Sequence, residues 1–336
     1  MAQPARIGLI GYGYWGPNLA RNFHALPDAH LVAVADADAQ RLDEPARLYG
    51  ARTHADYREL LADPTLDAVA ISTPARTHFD IARAALERGK HVLVEKPLAM
   101  SSDEARQLIA LAAERQRVLM VGHTFEHNPA VWKIRELIEQ RAIGDVYYIY
   151  ANRVKLGRVQ RDINALWSIA PHDISILLYV LGAMPLEVSA RGAIYLNENV
   201  EDVVFVTLTF PNKVLAHIHA SWLDPSKVRQ MTIVGSEKMI VYDDVDPEAR
   251  LRIYDKGVYR HGSEYGEFQL KVRSGDINIP KIEMSEPLRN ECAHFVECVR
   301  EGKRPRTDGE NGLRVVRVLE AAQESLAKNG AAVTIK

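Results

Sequence analysis

The stretch ARIGLIGYGYWGPNLARNFHAL, residues 5–26, decides the fold. An apolar run from Ala5 to Ile10 leads into Gly11, Gly13 and Gly16 in G-x-G-x-x-G spacing, and Pro17 then opens a segment with apolar residues at helical intervals. Glycines at such a strand-to-helix turn let the backbone approach a pyrophosphate, whose charge the helix N-terminus stabilises. Asp36 ends the next apolar run, LVAVAD, twenty residues beyond Gly16 (36 minus 16). A carboxylate there accepts hydrogen bonds from an adenosine ribose and repels a 2′-phosphate, so the expected cofactor is NAD rather than NADP. Arg41, five residues further on, softens that preference.

Moving outward, short apolar runs alternate with helical patterns: DAVAIST, HVLVEK and VLMVG each follow a helix-like segment. Continuous Val/Ile/Ala runs of this kind are strands buried on both faces, so residues 1–122 read as a doubly wound parallel α/β domain. In such sheets ligands sit beyond the carboxyl ends of the strands. That places Tyr14, Trp15, Ser72, Thr73, Pro74, His78, Glu95 and Lys96 among the expected cofactor contacts, with Gly11, Gly13, Gly16 and Asp36. The plainer reading of Pro74 and Pro97 is that they terminate strands. Lys96 carries more: a cation directly after HVLVE stands where an alkoxide develops during hydride transfer.

After Gly122 the pattern changes. A helix near Pro129 to Gln140 precedes longer, more polar strands, VYYIYANRV, LEVSARGAIYL, DVVFVTLTF, KVLAHIHASW, RQMTIVG and KMIVYD. Residues 123–336 are therefore expected to form a second α/β domain on a large, mostly antiparallel sheet, crossed by a loop and helix over 155–182. Helices over Pro287 to Arg300 and Gly309 to Lys328 are expected to cover one face of it, or another subunit does. Asp243 to Ile282 yields no assignment.

Composition narrows the function. The 336 residues hold 42 Lys plus Arg against 44 Asp plus Glu, so no global field recruits nucleic acid or an anionic membrane, and a small-molecule substrate is expected. Cys292 and Cys298, six apart on a helix, face different ways and suggest neither a disulfide nor a metal site. The absence of a signal-peptide pattern and of a bilayer-length apolar run points to a soluble, cytoplasmic protein. His217 and His219 alternate on one strand face; packing against a helix is the expected reading over metal binding. His123 and His127, four apart, are read with the same caution. Trp222, Lys227 and Arg229 fit a substrate or a subunit contact equally.

In order and spacing, the Gly11 to Gly16 fingerprint, Ser72-Thr73-Pro74, Glu95-Lys96-Pro97, VGHTFEHNPAV, APHDIS and TDGENGLRVVRVLEAA resemble the Gfo/Idh/MocA family of sugar oxidoreductases over essentially the whole chain. The resemblance implies an NAD-dependent oxidoreductase acting on a CH–OH group. It also implies a cis peptide before Pro97 and a homo-oligomer, dimer or tetramer, built through the second sheet. Lys96 matches the family lysine that orients the reacting hydroxyl, and His172 the histidine assigned as general acid/base. The alternative for His172 is a core histidine with satisfied hydrogen bonds.

In many members the segment around that histidine reads D-x-G-x-H-x-x-D. Here those positions hold Ser168, Ala170, His172 and Ser175. Three readings follow: Lys96 and His172 suffice, a charge comes from elsewhere, or oxidation is impaired. The first is favoured, because a positioned imidazole titrating near neutrality works without a dyad. Arg153, Lys155, Arg158 and Arg161 precede this segment, which is expected to open a helix at Pro171-His172-Asp173. They read either as a solvated loop or as a grip on a diphosphate or carboxylate, with Trp167 and Asp173 also expected at the substrate. The fingerprint and PHDIS are more similar to the branch that oxidises C3 of a UDP-linked N-acetylated sugar than to polyol dehydrogenases. A free-polyol dehydrogenase and an NAD-binding sensor or scaffold remain the alternatives.

Overall fold

The computed structural model describes residues 3–157, 159–160, 163–196, 200–260 and 270–335. They divide into two compact units, residues 1–127 with 285–317 and residues 128–284 with 318–336.

The first unit contains β1 (Ala5–Ile10), α1 (Gly16–Ala25), β2 (Ala29–Ala35), α2 (Asp43–Tyr49), β3 (Arg52–His54), α3 (Tyr57–Leu61), β4 (Ala68–Ile71), α4 (His78–Glu87), β5 (His91–Glu95), α5 (Ser102–Glu114) and β6 (Leu119–Gly122). The strands run parallel in the order β3-β2-β1-β4-β5-β6, so the order reverses between β1 and β4. Local chemistry sets the helix starts. Pro17 lies in the first turn of α1, where a missing N–H costs nothing. Ser101 accepts from the Glu104 N–H at 3.2 Å, and the Glu104 carboxylate accepts from the Met100 N–H at 3.0 Å, a reciprocal cap for α5. The edge strand β3 has no apolar run to announce it, since Arg52 and Thr53 are exposed.

The second unit contains α6 (Pro129–Glu139), β7 (Val146–Val154), α7 (Ala165–Leu181), β8 (Glu187–Ala193), β9 (Val203–Thr209), β10 (Leu215–Ser221), β11 (Val228–Gly235), β12 (Met239–Asp243), β13 (Leu251–Arg260) and β14 (Leu270–Asn278). With the C-terminal β15 (Val333–Thr334) they form a sheet of order β14-β13-β12-β11-β7-β10-β9-β8-β15, antiparallel except between β7 and β10. The unassigned stretch proves to hold the β13-β14 pair. Strict alternation sorts the sheet's faces. Ile149 and Ala151, Val204 and Val206, and Ala216 and Ile218 are buried beneath the apolar α7, whereas Tyr148, Tyr150, Phe205 and His217 stand on the open face.

Two expectations change. Helix α8 (Pro287–Glu301) does not cover the second sheet. Its stripe of Leu288, Cys292, Phe295 and Val296 enters the core of the first unit with Leu19, Phe23 and Leu26, and Phe23 meets Phe295 edge to face at 6.3 Å. Burying each such side chain is worth roughly 1.5–3 kcal/mol, which outweighs a solvent-facing position. Helix α9 (Gly309–Ala327) is shared, its residues up to 317 belonging to the first unit and those from 318 to the second. Nor do His217 and His219 pack on a helix: they lie on the open sheet face, stacked against Phe205 at ring distances of 6.2 and 4.5 Å. Among the described residues no helix is long and apolar enough to cross a membrane.

Candidate active site

The carboxyl ends of β1, β2, β4 and β5 bring most of the expected cofactor residues together. Gly11 follows β1 with φ of 94°, and a Cβ there would lie 2.8 Å from the Ser72 carbonyl carbon; a Cβ on Gly16 would strike the Gly11 carbonyl oxygen. Only glycine permits this closure of the turn. The Ser72 hydroxyl fastens it by donating to the Gly11 carbonyl at 2.7 Å. Asp36, just past β2, accepts from the Tyr12 N–H at 2.6 Å and the Asp38 N–H at 2.8 Å, with the Arg41 guanidinium 3.5 Å away. The carboxylate is thereby fixed at the rim of the cradle. Tyr14 is exposed, while Trp15 is half-buried at the start of α1. A glycine turn closed against β4, with an oriented carboxylate beside it, fits an NAD pyrophosphate and ribose.

His78 opens helix α4, beyond the loop that follows β4. It is buried at the first turn of α4, its Nδ1 2.7 Å from the Pro97 carbonyl and its Nε2 3.0 Å from the Thr73 carbonyl, so it ties two loops of the cradle to each other. Burial pushes its pKa down. Thr73 is held in turn by the Thr77 hydroxyl at 2.7 Å, and Pro74 is exposed. Glu95 ends β5, and the Lys96–Pro97 peptide is cis, as the resemblance implied. Burial pushes the Glu95 carboxyl up to about 7, against the opposing pull of the Lys96 ammonium and the Trp15 indole.

Sequence reasoning read His123 and His127 with caution and missed their neighbours. The His123 Nδ1 lies 2.7 Å from the Asn311 side-chain oxygen, while the Asn311 amide donates to both Glu126 oxygens at 3.0 and 3.1 Å. His123 and Glu126 are each 1% exposed. Burial keeps the His123 imidazole neutral down to about pH 4. Glu291, 0% exposed on α8, was also missed. Helical spacing with Leu288 and Phe295 marked it, since an acid at a core position of an amphipathic helix needs an explanation.

In the second unit α7 starts six residues before Pro171. The Asn164 side chain caps it by accepting from the Trp167 N–H at 3.1 Å, so Pro171 lies inside the helix and His172 in its second turn. Ser168 is therefore one turn ahead of His172, and its hydroxyl accepts from the Gln160 amide at 2.9 Å. Trp167 is buried, its indole donating to Gln323 at 3.1 Å. Arg153 belongs to strand β7 rather than to the loop. It grips Asp173 with two bonds, Nε at 2.7 Å and a terminal nitrogen at 2.9 Å, both side chains nearly fully buried. Lys155 is half-buried, and Arg158 and Arg161 lie outside the described residues. Trp222 donates to Asp202 at 2.6 Å and Arg229 to Asp244 at 3.2 Å, so both have partners within the unit.

Comparison with known proteins agrees with this geometry. Residues 5–123 match an oxidoreductase family with an NAD-binding Rossmann fold, and residues 131–241 match the GFO/IDH/MocA C-terminal domain. The chain is 30% identical over 312 residues to the UDP-N-acetylglucosamine 3-dehydrogenase of Acidithiobacillus ferrooxidans, covering 93% of this chain and 94% of that protein. It is equally 30% identical to the scyllo-inositol 2-dehydrogenase (NAD(+)) of Bacillus subtilis, covering 91% and 89%. The solved structure of the Acidithiobacillus ferrooxidans enzyme superposes with a TM-score of 0.79 at 27% identity, covering 98% of this chain and 99% of that one.

Proposed function

The chain belongs to the Gfo/Idh/MocA family of NAD-binding oxidoreductases, and from that premise we propose that it oxidises C3 of a UDP-N-acetylhexosamine, or of its uronic acid, to a 3-keto sugar. The observation that carries the chemistry is the place of Lys96 at the carboxyl end of β5, in the sheet whose strand order reverses beside the glycine cradle. In this reading the first unit, residues 1–127 with 285–317, holds the cofactor, and the second unit carries substrate residues. NAD, when bound, supplies the hydride acceptor. The Lys96 ammonium orients the hydroxyl and steadies the oxygen as its proton leaves, and the His172 imidazole takes that proton. In this reading Lys155 binds the diphosphate and Trp167 the sugar, while Arg153 and Asp173 hold each other within the second unit.

The substrate is supported by the relative named for UDP-N-acetylglucosamine, and the scyllo-inositol relative at the same identity supports a second reading, a free polyol. Incubating the purified protein with NAD and a panel of UDP-sugars and polyols, and reading NADH and ketosugar by mass spectrometry, separates them. Product from a polyol alone sinks the UDP-sugar reading. The open sheet face with Tyr148, Tyr150 and Phe205 exposed supports self-association through that face, which sedimentation tests.

A further inference from the structure

One end of the second sheet carries more positive charge than the acids bonded to it answer. Strands β7 and β11 run antiparallel, with Arg153 directly opposite Arg229. Arg153 alternates with the buried Ile149 and Ala151, and Arg229 with the buried Met231 and Ile233, so both belong to the face beneath α7. Beyond the last pair of the ladder, Val154 with Val228, come Lys155 and Lys227. Like charges set opposite each other on paired strands are destabilising, and an anion between them removes the repulsion.

Two carboxylates supply part of that compensation. Asp173 of α7 takes Arg153 with both oxygens. Asp244, just past β12, accepts from one terminal nitrogen of Arg229 at 3.2 Å, and a terminal nitrogen of Arg250 lies 3.5 Å from its other oxygen. Asp244 is itself held, because the Tyr242 hydroxyl donates to it at 3.0 Å and accepts from the Asn128 amide at 3.1 Å. Arg229 is thus anchored on a fixed acid through one nitrogen, while 34% of its side chain stays exposed. Lys227 is exposed and Lys155 half-buried, and neither has an ion-pair partner among the described residues. The nearby acids are engaged elsewhere: Asp224 accepts from the Ser226 N–H at 2.9 Å, and Asp243 stands opposite Gln230 on the other face. Five cations, Arg153, Lys155, Lys227, Arg229 and Arg250, therefore meet two carboxylates, Asp173 and Asp244.

We propose that this end of the β7-β11 pair is an oxyanion site for the diphosphate of a nucleotide, with Lys227 and Arg229 gripping it beside Lys155. A diphosphate diester carries a charge on each phosphate and matches the cationic surplus better than a single carboxylate does. Arg229 offers the guanidinium nitrogens that Asp244 does not use, and Lys227 adds a point charge. The Arg153–Asp173 clamp ties this end of the sheet to the turn of α7 that carries His172. That the anion is a nucleotide rests on the functional reading above, whereas the surplus of charge does not.

The test is calorimetry of UDP binding to the NAD-saturated protein. Lys227→Gln should weaken UDP by about tenfold or more, with NAD affinity and melting temperature unchanged because the side chain is exposed. Arg229→Gln should weaken it as much and also lower the melting temperature, since Asp244 loses a partner. If Arg229→Gln does not fold, Arg229→Lys replaces it: the charge stays, the planar fork is lost, and UDP should still bind severalfold more weakly. Lys281→Gln removes an exposed cation of the same unit outside this strand pair and should leave UDP affinity as it is. UDP bound equally by the wild type and Lys227→Gln, or an equal loss in Lys281→Gln, overturns the proposal and leaves the UDP-sugar reading standing. Glucuronate bound through Lys227 in place of UDP overturns the proposal as well. A wild type that does not bind UDP overturns both. UDP bound through Lys227 without oxidation of any UDP-sugar overturns only the functional reading.

Discussion

Replacing Arg153 by Met distinguishes a residue that grips substrate from one that holds the protein together. Arg153 and Asp173 bond at 2.7 and 2.9 Å with side chains 8% and 4% exposed. Two charges about 4 Å apart attract by about 4 kcal/mol at an effective dielectric constant near 20, and removing one leaves the other buried without compensation. The expected cost of Arg153→Met is therefore about 3–5 kcal/mol, or roughly 10 °C in melting temperature. Asp173→Leu alone should cost a similar amount, because the guanidinium is then stranded. The double variant strands neither charge and should recover at least half of the summed loss, a coupling measured by thermal or urea unfolding of all four proteins. Kinetics add a second axis. Asp173 adjoins His172 on α7, so loosening that turn should lower kcat more than it raises KM. A variant that raises KM tenfold while losing under 1 kcal/mol of stability, or a double variant whose loss equals the sum of the singles, would refute the clamp and return Arg153 to the substrate.

Four further outcomes are expected. Gly16→Ala, whose Cβ strikes the Gly11 carbonyl, should weaken NAD binding at least tenfold by calorimetry, and unchanged affinity would mean that the cofactor avoids this turn. Lys96→Ala should lower kcat/KM by about 100-fold or more while NAD still binds, and intact turnover would remove Lys96 from the mechanism. Ser168→Asp places a carboxylate one turn from His172; a rise in kcat of about tenfold is expected if an unsupported imidazole limits the rate, and no rise means that Lys96 and His172 suffice. Stability should fall with acid: His91 and His123 are held neutral in the fold to about pH 4 by burial, so the unfolded chain takes up their protons first as pH drops below about 6.5. His123 accounts for up to about 3 kcal/mol by pH 4 and the partly exposed His91 for less, so in urea unfolding across pH 4–7, His123→Gln should show a flatter loss than the wild type.

The cofactor cradle was legible because its residues answer to local constraints. Gly11 and Gly16 are fixed by how closely backbone meets backbone, and Asp36 by the length of one strand-helix-strand unit, so spacing alone located them. Reading the start of α7 at Pro171 failed for the opposite reason. Proline usually opens a helix, but Asn164 offers a side-chain cap earlier, and burial of twelve residues of α7 outweighs the one backbone bond that Pro171 cannot make. Helix α8 shows where such reading stops. Its apolar stripe declares that it packs, yet not against what, because Phe295 suits Phe23 of the first unit as well as it would suit a sheet. The same limit hides Arg153 and Glu291. A charge in a sequence looks like surface until its partner or its burial is known, and Asp173 lies twenty residues from Arg153 while α8 meets the core of the first unit from the far end of the chain. The residues that bind through backbone shape were thus found from spacing, and those that act through burial and charge required the fold, which is why the buried Glu291 emerged only with α8 in place.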